Sequence, residues 1–390
     1  MKKIFFVVIA ATLLAAGCQK TEVLNQVVPD GEPSMSYAPS MGKLTKAANK
    51  PSEAGRETLQ NQNFHLWAYY ATADENRGAK VDDLYDGMSN ILVTYTKGTD
   101  GATGDWSTDP IHFWPGKDKA LKFFAVSADE TISTTLFNDN NIVPNVIGED
   151  KKEYDKEKYN GLKISKFTVN PANPSSDLMV ADYLTQTQTE NLKVALNFRH
   201  ALTKVEFWFK NEKGAAEDGK TSDPKTQVWV QHVEVKNVAT EGSLDVAPTS
   251  TSADRFTWTP VSTSTEKFVA QYGGTPATDI NLRPEGGTAS DASNYEFNPK
   301  NYMKLTAAPT PYDTWLVIPQ TNADLKVEIV YVISDRQYVI SFPLFDDKLT
   351  SWEPNQYIKY NINLTPNIIG FNPTVEEWDP SDKGKEEDLN

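Results

Sequence analysis

The chain reads as all-β, arranged as two tandem β-sandwich domains. Three observations carry that reading. Apolar and polar residues alternate at a period of two in segment after segment, and no segment holds a long helical period. Aromatic residues make up 11% of the chain, beside many Thr and Val, a composition suited to pleated surfaces. At 390 residues the chain is long enough for two domains, each with its own core. The entirely polar stretch Thr185–Glu190 marks the expected boundary, giving domains over 47–188 and 189–379 and an acidic tail over 380–390.

Residues 1–17 read as an export signal. Lys2 and Lys3 form a basic start, and the apolar run Ile4–Leu14 is too short for a stable bilayer span. Ala15-Ala16-Gly17-Cys18 follows, and Cys18 is the one cysteine of the chain, so no intramolecular disulfide can form. The arrangement resembles a bacterial lipoprotein signal, whose cysteine becomes the lipidated first residue. Ala15 stands where Leu is usual, and an ordinary signal with a chance cysteine is the alternative. Several acyl chains on Cys18 would hold the protein on a membrane, each buried methylene adding about 0.8 kcal/mol.

Gln19–Glu57 lacks strong periodicity and reads as a tether, with Met35-Ser36-Tyr37 as a short strand inside it. Its Lys43, Lys46, Lys50 and Arg56 are either solvated charges or sites for a trypsin-like protease. The first domain starts at Phe64, with alternating strands over 64–69 and 91–95. Trp106 and Ile111–Pro115 form an aromatic strand ended by Pro115-Gly116, and Ala120–Val126 follows at hairpin spacing. The charge run Lys151–Lys158 is a solvated loop or short helix, and Leu162–Val169 and Leu178–Ala181 are strands.

The central stretch Asp177–Lys210 organises the rest. In Leu192–Phe198 the even positions are apolar, whereas in Val205–Phe209 the odd ones are. The parity change falls within Arg199–Thr203, where a bulge or tight bend would restore one inward face. Gln227–Val235 alternates well. Residues 241–313, rich in Thr, Ser, Ala, Pro, Gly and Asn, read as long surface loops between short strands, the place for binding if there is any. Trp315–Pro319 is a buried strand, and Leu325–Ile333 and Tyr338–Phe342 form a hairpin. Tyr357–Leu364 alternates, and Ile368–Phe371, Val375 and Trp378 close the second domain.

The search for chemistry returns no catalytic, cofactor-binding or metal-ligating set. The chain lacks a Gly-rich phosphate loop, an HExxH, a CxxC pair and an EF-hand loop. His65, His112, His200 and His232 are scattered and read as hydrogen-bonded structure rather than ligands. Asp82, Asp83, Asp86 and Asn90 offer oxygens for a hard cation but lack its loop spacing, so a solvated acidic turn is the plainer reading. Paired carboxylates for glycoside hydrolysis are spatial and leave no sequence signal. A net charge of −15, without a cationic stripe, argues against nucleic acid and serves solubility.

Four pieces together resemble the fimbrillin family, subunits of the type V pili of Gram-negative surfaces. Ile111–Pro115 with Leu121–Ala125 is similar to its Trp-Pro and Phe-Phe-Ala strands. Asp177–Ala181 matches its Asp-Leu-hydrophobic-hydrophobic-Ala strand. Leu196, Phe198, His200, Ala201 and Leu202 match a Leu-x-Phe-x-His-Ala-Leu signature. The fourth piece is the end: Leu316–Gln320, Trp352–Leu364 and Ile369–Trp378.

The resemblance implies sandwiches of transthyretin-like or Ig-like type and a non-enzymatic role. It implies a lipidated precursor held on the outer membrane through Cys18. An extracellular protease would remove the tether and first strand, residues 18–46. A strand from another subunit would fill the exposed groove, building a head-to-tail fibre on the cell surface. Thr45-Lys46-Ala47 resembles the family's Thr-Arg-Ala cleavage region with Lys in place of Arg, and Arg56 is the second choice. The donor strand would come from Ile368–Trp378, with Ile369, Phe371, Val375 and Trp378 entering pockets; an ordinary last strand is the alternative. Other fimbrillin subunits are the implied partners, with a host protein or glycan beyond them. A surface-lipoprotein binding module that does not polymerise is the competing function, using the 241–313 loops and an aromatic platform such as Trp258, Tyr272 and Tyr295.

Overall fold

A computed structural model of the chain describes residues 33–41, 62–98, 104–129, 135–138, 141–145, 161–172, 174, 176–188, 192–212, 227–247, 255–261, 265–271, 302–333, 336–365 and 369–378. Its elements are strands, as the alternation requires. In chain order they are β1 (Ser36–Tyr37), β2 (Ser40–Met41), β3 (Phe64–Tyr70), β4 (Ile91–Thr96), β5 (Asp105–Thr108), β6 (Ala120–Ala128), β7 (Ile142–Asn145) and β8 (Gly161–Thr168). Then come β9 (Leu178–Ala181), β10 (Leu184–Thr187), β11 (Lys193–Val194), β12 (Asn197–His200), β13 (Thr203–Lys210), β14 (Val228–Ala239), β15 (Glu241–Val246) and β16 (Phe256–Pro260). The last are β17 (Thr265–Gln271), β18 (Met303–Lys304), β19 (Thr310–Val317), β20 (Lys326–Ile333), β21 (Arg336–Pro343), β22 (Gln356–Leu364) and β23 (Ile369–Glu377).

The largest sheet runs β2-β12-β9-β6-β3-β4-β5, with β10 also on β6, and β1 pairs with β11. A second sheet runs β16-β15-β8-β7. Two more, β19-β13-β22-β23 and β17-β14-β20-β21 with β18 on β14, make up the C-terminal part.

Strand β6 is buried along its whole length because both faces of its sheet are covered. Alternation then assigns its residues to two cores. Leu121, Phe123 and Ala125 join Phe64, Leu66, Met179 and Phe198. Phe124, Val126 and Ala128 join a larger cluster that takes in Ile164 and Phe167 of β8, then Phe207, Val233, Trp315 and Ile358. In the C-terminal sandwich, Phe207 stacks on Tyr360 at 5.2 Å and meets Trp315 edge-on at 5.3 Å.

Three expectations meet a different arrangement. The parity change at Arg199–Thr203 is not a bulge within one strand. β12 pairs with β9 in the large sheet, and two residues later β13 pairs with β19 and β22 in another. Ala201 and Leu202, both fully buried, are the crossing point, so the inward face changes because the sheet changes. Pairing also crosses the boundary expected at 188/189. β12 joins the sheet of β3 and β6, and β8 pairs antiparallel with β15, Leu162 opposite Val246. Ile111–Pro115 does not form a hairpin with Ala120–Val126; β6 pairs with β3, β9 and β10 instead. The short strands expected among the loops of 241–313 include β15, β16, β17 and β18; β15 pairs with β8 and its neighbour β16, and β17 and β18 pair with β14. The predicted hairpin over 325–342 is present as β20 and β21.

Candidate functional site

The N-terminal described segment, residues 33–41, fills a groove. It carries little apolar substance of its own: Met35, Tyr37 and Met41, exposed by 6, 4 and 4%. These are alternate or near-alternate positions, so one face of the strand is inward and Ser36, Ala38 and Ser40 are half-exposed. β1 runs parallel to β11, and β2 runs parallel to β12. The N–H groups of Ser36, Ala38 and Ser40 donate to the carbonyls of Leu192, Val194 and Leu196 at 3.1, 2.9 and 2.8 Å. Pro39 has no N–H, but odd positions do not face this ladder, so nothing is lost there. On the opposite side Met35 N donates to His112 O at 2.8 Å, and Trp114 N donates to Pro33 O at 3.0 Å. The segment expected to form a hairpin therefore serves as the second wall of the groove.

The floor is aromatic. Tyr37 meets Phe64 edge-on at 6.4 Å, and Phe64 packs on Phe198 and Trp106 at 5.2 Å. Trp114, fully buried, meets Phe123 edge-on at 6.0 Å and donates its indole N–H to Leu192 O at 3.2 Å. Leu192 holds a φ of +59°, a conformation that costs a leucine about 1–3 kcal/mol. Its carbonyl accepts the Ser36 N–H, the Ser36 hydroxyl and the Trp114 indole. Burial pushes the Tyr37 phenol up to about 12, with the Thr108 hydroxyl pulling the other way. Removing residues 33–41 would bare this floor, strip the backbone donors from the Val194 and Leu196 carbonyls and leave Leu192 O to the Trp114 indole, a site for another strand.

Polar contacts tie the groove to the rest of the molecule. Ser40 Oγ donates to Asn197 Oδ1 at 3.4 Å, and Asn197 Nδ2 donates to Asp182 Oδ2 at 2.6 Å. Arg199 clasps both Asp182 oxygens, at 2.8 and 3.0 Å. Arg255, 1% exposed, reaches Asp182 at 2.7 Å and donates to the Val180 and Ala181 carbonyls. Burial lowers Arg255 to about 10, Asp182 opposing this and Arg199 adding to it, so Arg255 stays charged at neutral pH. Sequence reasoning missed Arg255 because it sits in a stretch that reads as loop.

Cys18, Lys46 and Arg56 lie outside the described residues. Ile369, Phe371 and Val375 lie on β23, which pairs antiparallel with β22, setting Leu364 opposite Ile369, Ile362 opposite Phe371 and Ile358 opposite Val375. β23 ends its sheet, and Val375 is 47% exposed there. Trp378 is 9% exposed, stacked on His200 at 3.6 Å. His200 Nδ1 is in turn 2.7 Å from Asp177 Oδ2, which joins the two strand motifs singled out in the sequence. His65 contacts Asn90, and His112 contacts Asp86, so these histidines are structural. Asp82 pairs with Lys122, Asp83 accepts from Lys80 N, and Asp86 faces His112. The acidic turn is thus dispersed, and among the described residues no group of three or more His, Cys, Asp or Glu could hold a metal ion. Trp258 donates its indole N–H to Ala201 O at 2.7 Å and packs on Phe167, so it is spent internally; Tyr272 and Tyr295 lie outside the described residues.

Comparison with known proteins adds three findings. A family model described as fimbrillin-like matches residues 45–378. The fimbrium subunit Fim1C of Phocaeicola vulgatus is 24% identical over 205 residues, covering 50% of this chain and 48% of that protein. The match thus spans about half the length of that curated relative. The crystal structure of a fimbrial protein from Bacteroides vulgatus superposes with a TM-score of 0.53 at 17% identity, covering 88% of this chain and 99% of the other, a likeness of fold.

Proposed function

Because the chain belongs to the fimbrillin-like family, we propose that it is a structural subunit of a cell-surface fimbrium, assembled by proteolysis and strand exchange and contributing to adhesion. The family is one of structural fimbrial proteins rather than enzymes. In this reading the chain leaves the cell as a lipoprotein precursor carrying acyl chains on Cys18. Cleavage after Lys46 separates residues 18–46 from the body, and cleavage after Arg56 separates residues 18–56. The remaining body, up to residue 379 and with sheets that cross the 188/189 boundary, then forms the mature subunit. The partners are other fimbrillin subunits, and a host protein or glycan is the target of the finished fibre.

The observation that carries the reading is the seating of residues 33–41. Three apolar side chains fill an aromatic groove through a parallel ladder with 192–198. Both candidate cleavage residues lie between this segment and β3 in sequence. A cut there turns a covalent strand into an exchangeable one, and the emptied edge then drives association. The contact is head-to-tail and does not close, so it propagates as a fibre.

N-terminal sequencing of protein from the cell surface, with SDS-resistant species examined on the same gel, tests this. A start at Ala47 or Glu57 together with a ladder is expected. A blocked Cys18 and a single band would remove the exchange account and leave an anchored lipoprotein.

A further inference from the structure

We propose that β21 is a lateral docking edge whose occupant is β21 of a second copy of this chain, antiparallel about a two-fold axis at Val339. The contact uses a different edge from the groove and does not depend on strand exchange.

β21 ends its sheet, and its 8 residues, Arg336–Pro343, pair with β20 without a bulge. Between its two end residues, Gln337–Phe342 holds no charge, proline or glycine. Such an edge is a template for a further strand, and folded proteins guard theirs with charge, proline or brevity. The other described strands that end a sheet are guarded in this way. β19 carries Pro311 and Asp313, and its Leu316 N–H donates to Pro174 O at 2.6 Å. β17 carries Glu266 and Lys267, and β23 carries Pro373, Glu376 and Glu377. The rest are 5 residues long or shorter.

The ladder to β20 fixes which amides face outward. Lys326 stands opposite Pro343, so Leu325 stands opposite Leu344, whose N–H donates to its carbonyl at 3.1 Å. Even positions of β21 therefore bond to β20, and alternation turns the N–H and C=O of Gln337, Val339 and Ser341 to the outer side. Pro343, which has no N–H, falls on that outer side, where the ladder to β20 loses nothing.

A second copy meets each requirement of this edge. With the axis at Val339, Gln337 of one copy faces Ser341 of the other and the two Val339 face each other, so every outward N–H finds a carbonyl. An axis at Ile340 would set Pro343 opposite Gln337 and lose a donor, and one at Tyr338 would set Ser341 opposite Asp335, beyond the strand. The chain carries a net charge of −15, which opposes most approaches of two copies, but this register sets no charge opposite a like charge. Val339 is 49% exposed and lies opposite Val330 of β20, so across the axis the valines 330, 339, 339 and 330 form one row. On the other face the half-buried Tyr338 and Ile340, at the margin of the core, each meet the other. One patch serves both partners, as a two-fold contact requires. A single strand pair falls at or below the roughly 1,200 Å² of a standard interface, so subunits pair weakly and fibres bearing many such edges pair by multivalency.

The test uses the full chain in a Cys18→Ser background. Sedimentation up to about 0.5 mM should show a concentration-dependent dimer. Val339→Lys, which sets like charges together on the axis, should weaken it at least about tenfold, and so should Ser341→Pro, which removes an outward donor and spares the β20 ladder. Under mild oxidation Val339→Cys should cross-link to itself at least about tenfold faster than Ser341→Cys, because the paired Cα atoms at the axis lie about 5.5 Å apart, within disulfide reach. Ser341→Cys should instead cross-link with Gln337→Cys. A monomer at every concentration overturns the proposal, as does a dimer that both Val339→Lys and Ser341→Pro leave intact. Equal cross-linking of Val339→Cys and Ser341→Cys overturns the axis.

Discussion

Replacing Tyr37 with alanine distinguishes an exchangeable plug from a strand integral to its sheet. The Tyr37 ring is 4% exposed and rests edge-on against Phe64. Deleting a buried ring costs about 3–5 kcal/mol, through lost transfer energy and the cavity left behind. At about 1.4 kcal/mol per factor of ten, occupancy of the groove should fall by a factor on the order of 10² to 10³. Hydrogen exchange reads this directly. The amides of Ser36, Ala38 and Ser40 are protected by the Leu192, Val194 and Leu196 carbonyls, and their protection should drop by that factor. Amides of β6, whose neighbours are β3, β9 and β10, should keep theirs. If β6 loses protection together with residues 36–40, the segment is part of the cooperative core. The groove could not then survive its departure, and the reasoning fails.

Three further outcomes follow from the same contacts. Alkali should loosen the cut segment. The folded Tyr37 phenol is raised from 10 to about 12, so its contribution is whole below pH 10 and is lost as pH rises through about 12. That is worth about 2–3 kcal/mol, and the difference between wild type and Tyr37→Phe in an alkaline titration of segment release isolates it from other tyrosines. Asp182→Ala strips the counter-charge from Arg199 and the buried Arg255, and should lower stability by about 3–5 kcal/mol in denaturant unfolding; a loss near zero would mean that the cluster contributes little. Ala38→Pro removes the donor to Val194 O and should cost about 1–3 kcal/mol in segment retention. Pro39→Ala should change it little, and equal losses in the two variants would contradict the assigned ladder.

The sequence carried the strand class well because period-two alternation is a local property. Leu192–Phe198 is the clearest case, its even positions lying at the groove or in the core as expected. What it could not carry was pairing. Residues 33–41 hold three buried apolar side chains, too few to distinguish a seated strand from a tether. Their ladder partners stand 156 residues away. The parity change at Arg199–Thr203 was visible, but a bulge and a change of sheet leave the same mark in one dimension. Glu241–Val246 looked like loop because its Gly and Asp weaken the pattern. Its place is fixed by β8 and β16 on either side. Arg255 illustrates the same limit: its burial depends on Asp182 and two carbonyls that no local pattern announces.

The two-residue passage from β12 to β13 has a mechanical consequence. A strand seated in the groove bonds to β12 in parallel, and β12 continues through Ala201 and Leu202 into β13. β13 bonds in parallel to β22, and β22 bonds to β23. If the groove holds one neighbour and β23 reaches the next, axial tension crosses the subunit through ladders joined by continuous backbone. It does not have to cross an interface held only by side chains. Within each ladder the pull runs along the strands, so many hydrogen bonds resist it together. The subunit would thus yield by sliding a strand out of its ladder before its two sheets part.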